Sequence, residues 1–150
     1  MDQISISAKQ IHNTLQFIDR TQSEAVKRSI FSELGCQCFQ ATGVADFLDQ
    51  FRGRPEAYLS RVNDAHAIQY WESILPGEDG NSYILTGTVA GRCVCSFADH
   101  GEAPMALCDY CCKKFQERLF STLFGRAVEV EMTSSCLKGG DRCSTIIHFR

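Results

Sequence analysis

Gly125-Arg126-Ala127-Val128-Glu129-Val130-Glu131-Met132-Thr133 decides the fold. Val128, Val130 and Met132 fall on one face of an extended chain, and Glu129, Glu131 and Thr133 on the other. That alternation belongs to a half-buried strand. The stretch before it has another period. Between Pro104 and Gly125, the residues Leu107, Cys108, Cys111, Cys112, Phe115, Leu119 and Leu123 make an apolar stripe at helical spacing. A long helix is expected there, opening near Pro104 and stopping at Gly125. On the far side, Lys138-Gly139-Gly140-Asp141 predicts a hairpin turn. Cys143–Phe149 then predicts a last strand, with Thr145, Ile147 and Phe149 on the face of Cys143.

Upstream, Ile68–Leu75 is rich in strand formers and ends at Pro76-Gly77. Asp79-Gly80 signals a turn, and Tyr83–Phe97 reads as one long strand or two short ones, with bends at Gly87 and Gly91. The first half is helical in pattern. Ser7-Ala8-Lys9-Gln10 and Thr21-Gln22-Ser23-Glu24 have the form of capping boxes. Ile11, Leu15 and Ile18 follow the first; Val26, Ile30, Phe31 and Leu34 follow the second, with Gly35 as the expected stop. Shorter helices are expected over Ala45–Phe51 and Pro55–Val62. The sum is an α+β class: N-terminal helices packed on a mostly antiparallel sheet, with one long helix in the C-terminal half. Residues 1–150 are expected to form a single ligand-binding-like domain.

The chain has a net charge of −3 with its basic residues scattered, which excludes an electrostatic footprint for nucleic acid or anionic lipid. No apolar stretch is long enough to span a bilayer, and the N-terminus lacks the pattern of a signal peptide. A cytoplasmic protein is expected. The composition leaves a homodimer open.

Nine cysteines are many for 150 residues. Without a secretory signal, reduced thiols that bind metal or pack in the core fit better than a disulfide framework. Cys93 and Cys95 would point to one side of a strand, and Cys108 and Cys111 would share one side of a helix. The Ser96–Leu107 connection could fold one pair onto the other, giving the four thiolates that zinc favours. Asp99, His100 and Glu102 lie in that connection. The competing reading is plain burial, since cysteine behaves as a small apolar group. That reading is preferred for Cys36 and Cys38. His12 is expected in solvent, and His66 and His148 in surface or structural roles. No Ser-His-Asp order, phosphate-binding loop or dinucleotide fingerprint occurs.

The run Gly125–Glu131, followed by Ser135-Cys136-Leu137-Lys138-Gly139-Gly140-Asp141-Arg142-Cys143, resembles the 4-vinyl-reductase domain. It is also similar to the L-2-amino-thiazoline-4-carboxylic acid hydrolase family, close to uncharacterised cysteine-rich bacterial members. The resemblance covers about residues 90–149. It implies helices packed on an antiparallel sheet that often encloses an apolar pocket. In phenol-sensing members cysteines near the domain's end and a glutamate hold zinc. Cys136 and Cys143 match the two terminal cysteines, and Cys111 or Cys112 the earlier one. Thr133 stands where the glutamate belongs.

Two functions follow as expectations. The first is a zinc-stabilised small-molecule-binding domain. Cys93, Cys95, Cys108 and Cys111 would be its metal ligands, and Phe97, Phe115, Leu119 and Phe149 would line a pocket for a small apolar or aromatic ligand. The second, motivated by the related family, is a hydrolase of a small cyclic amide or thiazoline. No catalytic residues can be assembled for it from the sequence.

Overall fold

The computed structural model describes residues 3–65, 71–87, 95–98 and 103–150. Helices α1 (Gln3–Thr21), α2 (Glu24–Ala41), α3 (Val44–Asp49) and α4 (Pro55–Asn63) come first, and helix α5 (Lys113–Phe124) later. Strands β1 (Trp71–Pro76), β2 (Ser82–Gly87), β3 (Val128–Ser134) and β4 (Ser144–Phe149) form one sheet in the order β1-β2-β4-β3, with every neighbouring pair antiparallel. The α+β class expected from the sequence is the class observed.

The alternation of β3 does what its sequence implies. Val128 and Val130 are buried and Glu129 and Glu131 exposed. The inner face of the sheet meets α5, where Leu119, Phe120 and Leu123 join Trp71, Ile74, Leu85, Val130 and Ile147 in the larger core. Tyr83 stacks on Phe124 and both meet Phe149 edge-on. Gly125 ends α5 with φ at +66°, the left-handed cap glycine adopts without strain. The edge strand β1 is covered from α4. The Asn63 side chain accepts from the Ile74 amide at 2.7 Å and donates to its carbonyl at 2.8 Å, imitating a further strand.

Several local expectations give way. The helix over α1 starts ahead of Ser7, so the first capping box is not used. Ser23, not Thr21, caps α2, its hydroxyl accepting from the Val26 amide. Of the stretch expected as one long strand or two short ones, the structure shows β2 over Ser82–Gly87 and a 3-10 turn at Ser96–Ala98, while residues 88–94 lie outside the described residues. Gly91 and Cys93 lie outside the described residues. His12 is not solvated. It is buried in α1, with Nδ1 2.6 Å from the Phe97 carbonyl oxygen.

Gly35 does not stop α2. The helix runs through it to Ala41 because this glycine is a contact point. A Cβ there would lie 2.3 Å from the Cys111 carbonyl oxygen. Alanine in a helix gains about 1 kcal/mol over glycine, but forcing two backbones apart costs about 1–3 kcal/mol. Gly35→Ala should therefore lower the urea midpoint and shift the helix pair; a midpoint equal to or above that of the parent would mean the approach is not tight.

Candidate functional site

The segment that opens the long helix is not α-helical. Leu107–Cys112 is a π-helix, which passes into α5 at Lys113. Its wider turn separates residues that an α-helix would stack at i and i+3. Cys108 and Cys111 therefore leave the segment in different directions, and the cysteines fall into separate groups.

Cys111 faces α2. Tyr110 donates its hydroxyl to the Glu24 carboxylate, Gly35 meets the Cys111 backbone, and Phe39 packs edge-on against Phe115. With the backbones this close, Cys38 and Cys111 share a hydrogen bond. Burial raises the Cys38 thiol, and the bond to Cys111 opposes it. Burial also pushes the Cys111 thiol far above the ordinary value of 9.0, with Cys38, Cys95 and Cys112 adding to the effect. Both thiols are thus protonated at neutral pH. Around them lies a second apolar cluster, apart from the larger core: Leu15, Phe31, Ala106, Leu107 and Cys111, with Leu34 and Phe97 packed against it. Cys112 accepts a hydrogen bond from the Gln116 amide at 3.3 Å, and Gln116 accepts one from the buried Thr145 hydroxyl at 2.9 Å.

Cys108 faces the other way. Its sulfur lies 3.0 Å from the Ser135 hydroxyl oxygen, which accepts from the Leu137 amide. Beside it an open groove is lined by Asp109, Lys113, Glu131, Lys138 and His148. Within it Lys138 pairs with Asp109 at 2.6 Å and His148 meets Glu131 at 2.8 Å.

The residues singled out in the sequence divide accordingly. Cys111 meets Cys38 of α2, with Cys95 near enough to act on its thiol, Cys108 belongs with Ser135, and Cys93 lies outside the described residues. Phe97 packs in the second cluster, whereas Phe115, Leu119 and Phe149 pack in or against the larger core. The metal-binding reading is corrected. Among the described residues no three His, Cys, Asp or Glu side chains are grouped to hold a metal ion. The π-turn is the reason for Cys108, and Glu131, the nearest glutamate to Cys136, is engaged with His148. Cys38, read as core, is the residue missed. Its sequence signal is Gly35, one helical turn earlier, which marks a close contact and not a stop. No helix among the described residues is long and apolar enough to cross a membrane.

No family model matches the chain, and no curated protein matches it. In fold it is similar to a solved structure of trafficking protein particle complex subunit 3 from Naegleria fowleri, covalently bound to palmitic acid. The identity is 12%, the TM-score 0.53, and the match covers 97% of this chain and 96% of that one. The likeness therefore spans the helices as well as the sheet. It corrects the resemblance to the 4-vinyl-reductase domain and the thiazoline hydrolase family, which rested on the C-terminal stretch alone.

The raised thiols set a pH dependence. Above the ordinary value of 9.0 the unfolded chain releases the Cys111 proton while the folded protein keeps it. Stability is then full below that value and falls as pH climbs towards the raised one. Tyr58, pushed up to about 12 by burial, acts in the same direction at higher pH. Urea midpoints should hold steady around neutrality and drop beyond 9.0, and Cys111→Ala should flatten the first part of that drop. A profile identical in parent and variant would contradict the assignment. Thr145→Val should cost about 1–3 kcal/mol, since it strands the buried Gln116 carbonyl; a loss within error of zero would show that Gln116 finds another donor.

Proposed function

We propose that this chain is a small-molecule-binding domain for an apolar ligand, and that a long-chain acyl group held at the Cys38–Cys111 seam is the favoured occupant. The carrying observation is the juxtaposition of Cys38, Cys95 and Cys111 with an apolar cluster separate from the main core. Thiol and hydrocarbon surroundings together suit an acyl thioester: sulfur takes the acyl carbon and hydrocarbon side chains take the tail. The solved subunit of like fold, with its covalently bound palmitic acid, supports the same ligand chemistry. Cys38 is half-buried and Cys111 buried, so Cys38 is the reading's attachment point.

Attachment from an acyl-coenzyme A would form the Cys38 sulfur–acyl bond, break the coenzyme's thioester and return the proton to the departing thiol. Because burial keeps the Cys38 thiol protonated, the transfer is slow at neutral pH and speeds up as pH rises. Hydrolysis of a cyclic amide has less support. An amide is far less reactive towards a mostly protonated thiol than an activated thioester is, and Cys108 is bonded to a hydroxyl, which is no base.

Protein partners belong to the reading as well. Ile11 and Phe17 of α1, and Val26 and Ile30 of α2, expose apolar side chains, and the structural neighbour is a subunit of a complex. Assembly with a second copy or another chain fits both. Eight described thiols fit a cytoplasmic setting.

The test is intact-mass analysis after incubation with palmitoyl-coenzyme A, with a fluorescent fatty acid as the non-covalent probe. One acyl group that hydroxylamine removes, and that Cys38→Ala abolishes, is expected. The absence of both acyl transfer and saturable fatty-acid binding would overturn the proposal; binding without transfer would remove the thioester and keep the apolar site.

A further inference from the structure

We infer that Cys136 and Cys143 form a redox couple, joined by a peroxide into a disulfide that closes the β3–β4 connection and reopened by a thiol reductant. The inference does not rest on the acyl reading, because neither cysteine belongs to the Cys38–Cys111 pair. The Cys136 amide donates to the Cys143 sulfur at 3.5 Å. Both side chains are half-buried and both are thiols, so a small oxidant can reach them. A disulfide needs Cα atoms about 4.4–6.8 Å apart, and an amide this near the partner's sulfur leaves side-chain rotation as the main adjustment.

The chain around them holds the approach in place. On one side the Cys143 carbonyl accepts from the Gly87 amide at 2.7 Å, where a Cβ on Gly87 would come within 2.6 Å of that same oxygen. On the other, Cys136 opens a short 3-10 turn, Cys136–Lys138, whose end is set by Gly139 at φ +90°. The Ser135 carbonyl accepts from the Gly140 amide at 2.9 Å, and the Ser134 hydroxyl donates to the Arg142 carbonyl at 3.0 Å. These bonds fold the connection back so that the Cys143 sulfur meets the backbone of Cys136.

The chemistry balances with hydrogen peroxide. One thiol attacks the peroxide oxygen, giving a sulfenic acid and one water. The second thiol attacks that sulfur, the sulfur–sulfur bond forms and a second water leaves. Two electrons pass from the two sulfurs to the peroxide. The closed loop contains Lys138, the partner of Asp109, and begins beside Ser135, the partner of Cys108. Oxidation would therefore fix one wall of the charged groove.

The experiment is titration of the full chain with hydrogen peroxide, followed by alkylation and peptide mapping without reductant. The expected result is a Cys136–Cys143 disulfide peptide that dithiothreitol removes, with most labelling of these two residues lost before that of Cys38 and Cys111. Cys143→Ser should leave Cys136 without a cross-link, and Cys136→Ser should do the reverse for Cys143. A Cys38→Ala chain should still form the disulfide, which separates this couple from the acyl site. Cross-linking of other cysteines first, separate sulfinic acids at 136 and 143, or no disulfide at all would overturn the inference.

Discussion

Gly35 lies against the carbonyl of Cys111, and the site depends on that contact. Any side chain larger than hydrogen would meet backbone there, not a flexible tip. The close approach seats α2 along the π-segment and brings Cys38 to Cys111. It also sets the boundary of the second apolar cluster, to which Phe31 and Leu34 are contributed by the same helix. The larger core depends on it less. That core is a helix-on-sheet packing, with α5 supplying Leu119, Phe120 and Leu123. Among the described residues there are thus two apolar clusters with different partners, and Cys111, which meets Cys38, belongs to the second.

The π-segment is the second constraint. A continuous α-helix from Pro104 to Gly125 would carry Cys108 and Cys111 on one side. The wider turn sends Cys111 to α2 and Cys108 to Ser135. One element thus serves a buried, apolar face and an open, charged one. Burial dominates the first, where thiols are held in their neutral form. The exposed Lys138–Asp109 ion pair and the His148–Glu131 contact shape the second; being exposed, they add little to stability and much to the polarity of the groove.

The sheet and its covering helix were legible because each follows from one periodicity. The alternation of Val128 through Thr133, the stripe ending at Gly125 and the glycines of the β3–β4 turn are local signals, and all were met. Cys38 and Gly35 were illegible for a physical reason. A glycine inside a helical pattern marks a stop or a close contact, and only the partner 76 positions along the chain decides which. The π-turn was equally hidden, since its residues satisfy an α-helical stripe. Ser135 and Gln116, the partners of Cys108 and Cys112, are polar residues whose roles exist only across elements. The family resemblance misled because it weighed a C-terminal stretch, while the structural likeness spans the whole chain at 12% identity.

On the proposed reading, the seam between α2 and the π-segment is where an apolar ligand would be held. The most direct measurement is backbone NMR of the labelled protein during titration with a long-chain fatty acid. The account predicts saturable shifts concentrated at Phe31, Leu34, Cys38, Leu107 and Cys111, with the amides of β3 and β4 little changed. Shifts confined to the charged groove at Lys113, Glu131 and His148, or spread evenly over the chain, would contradict it.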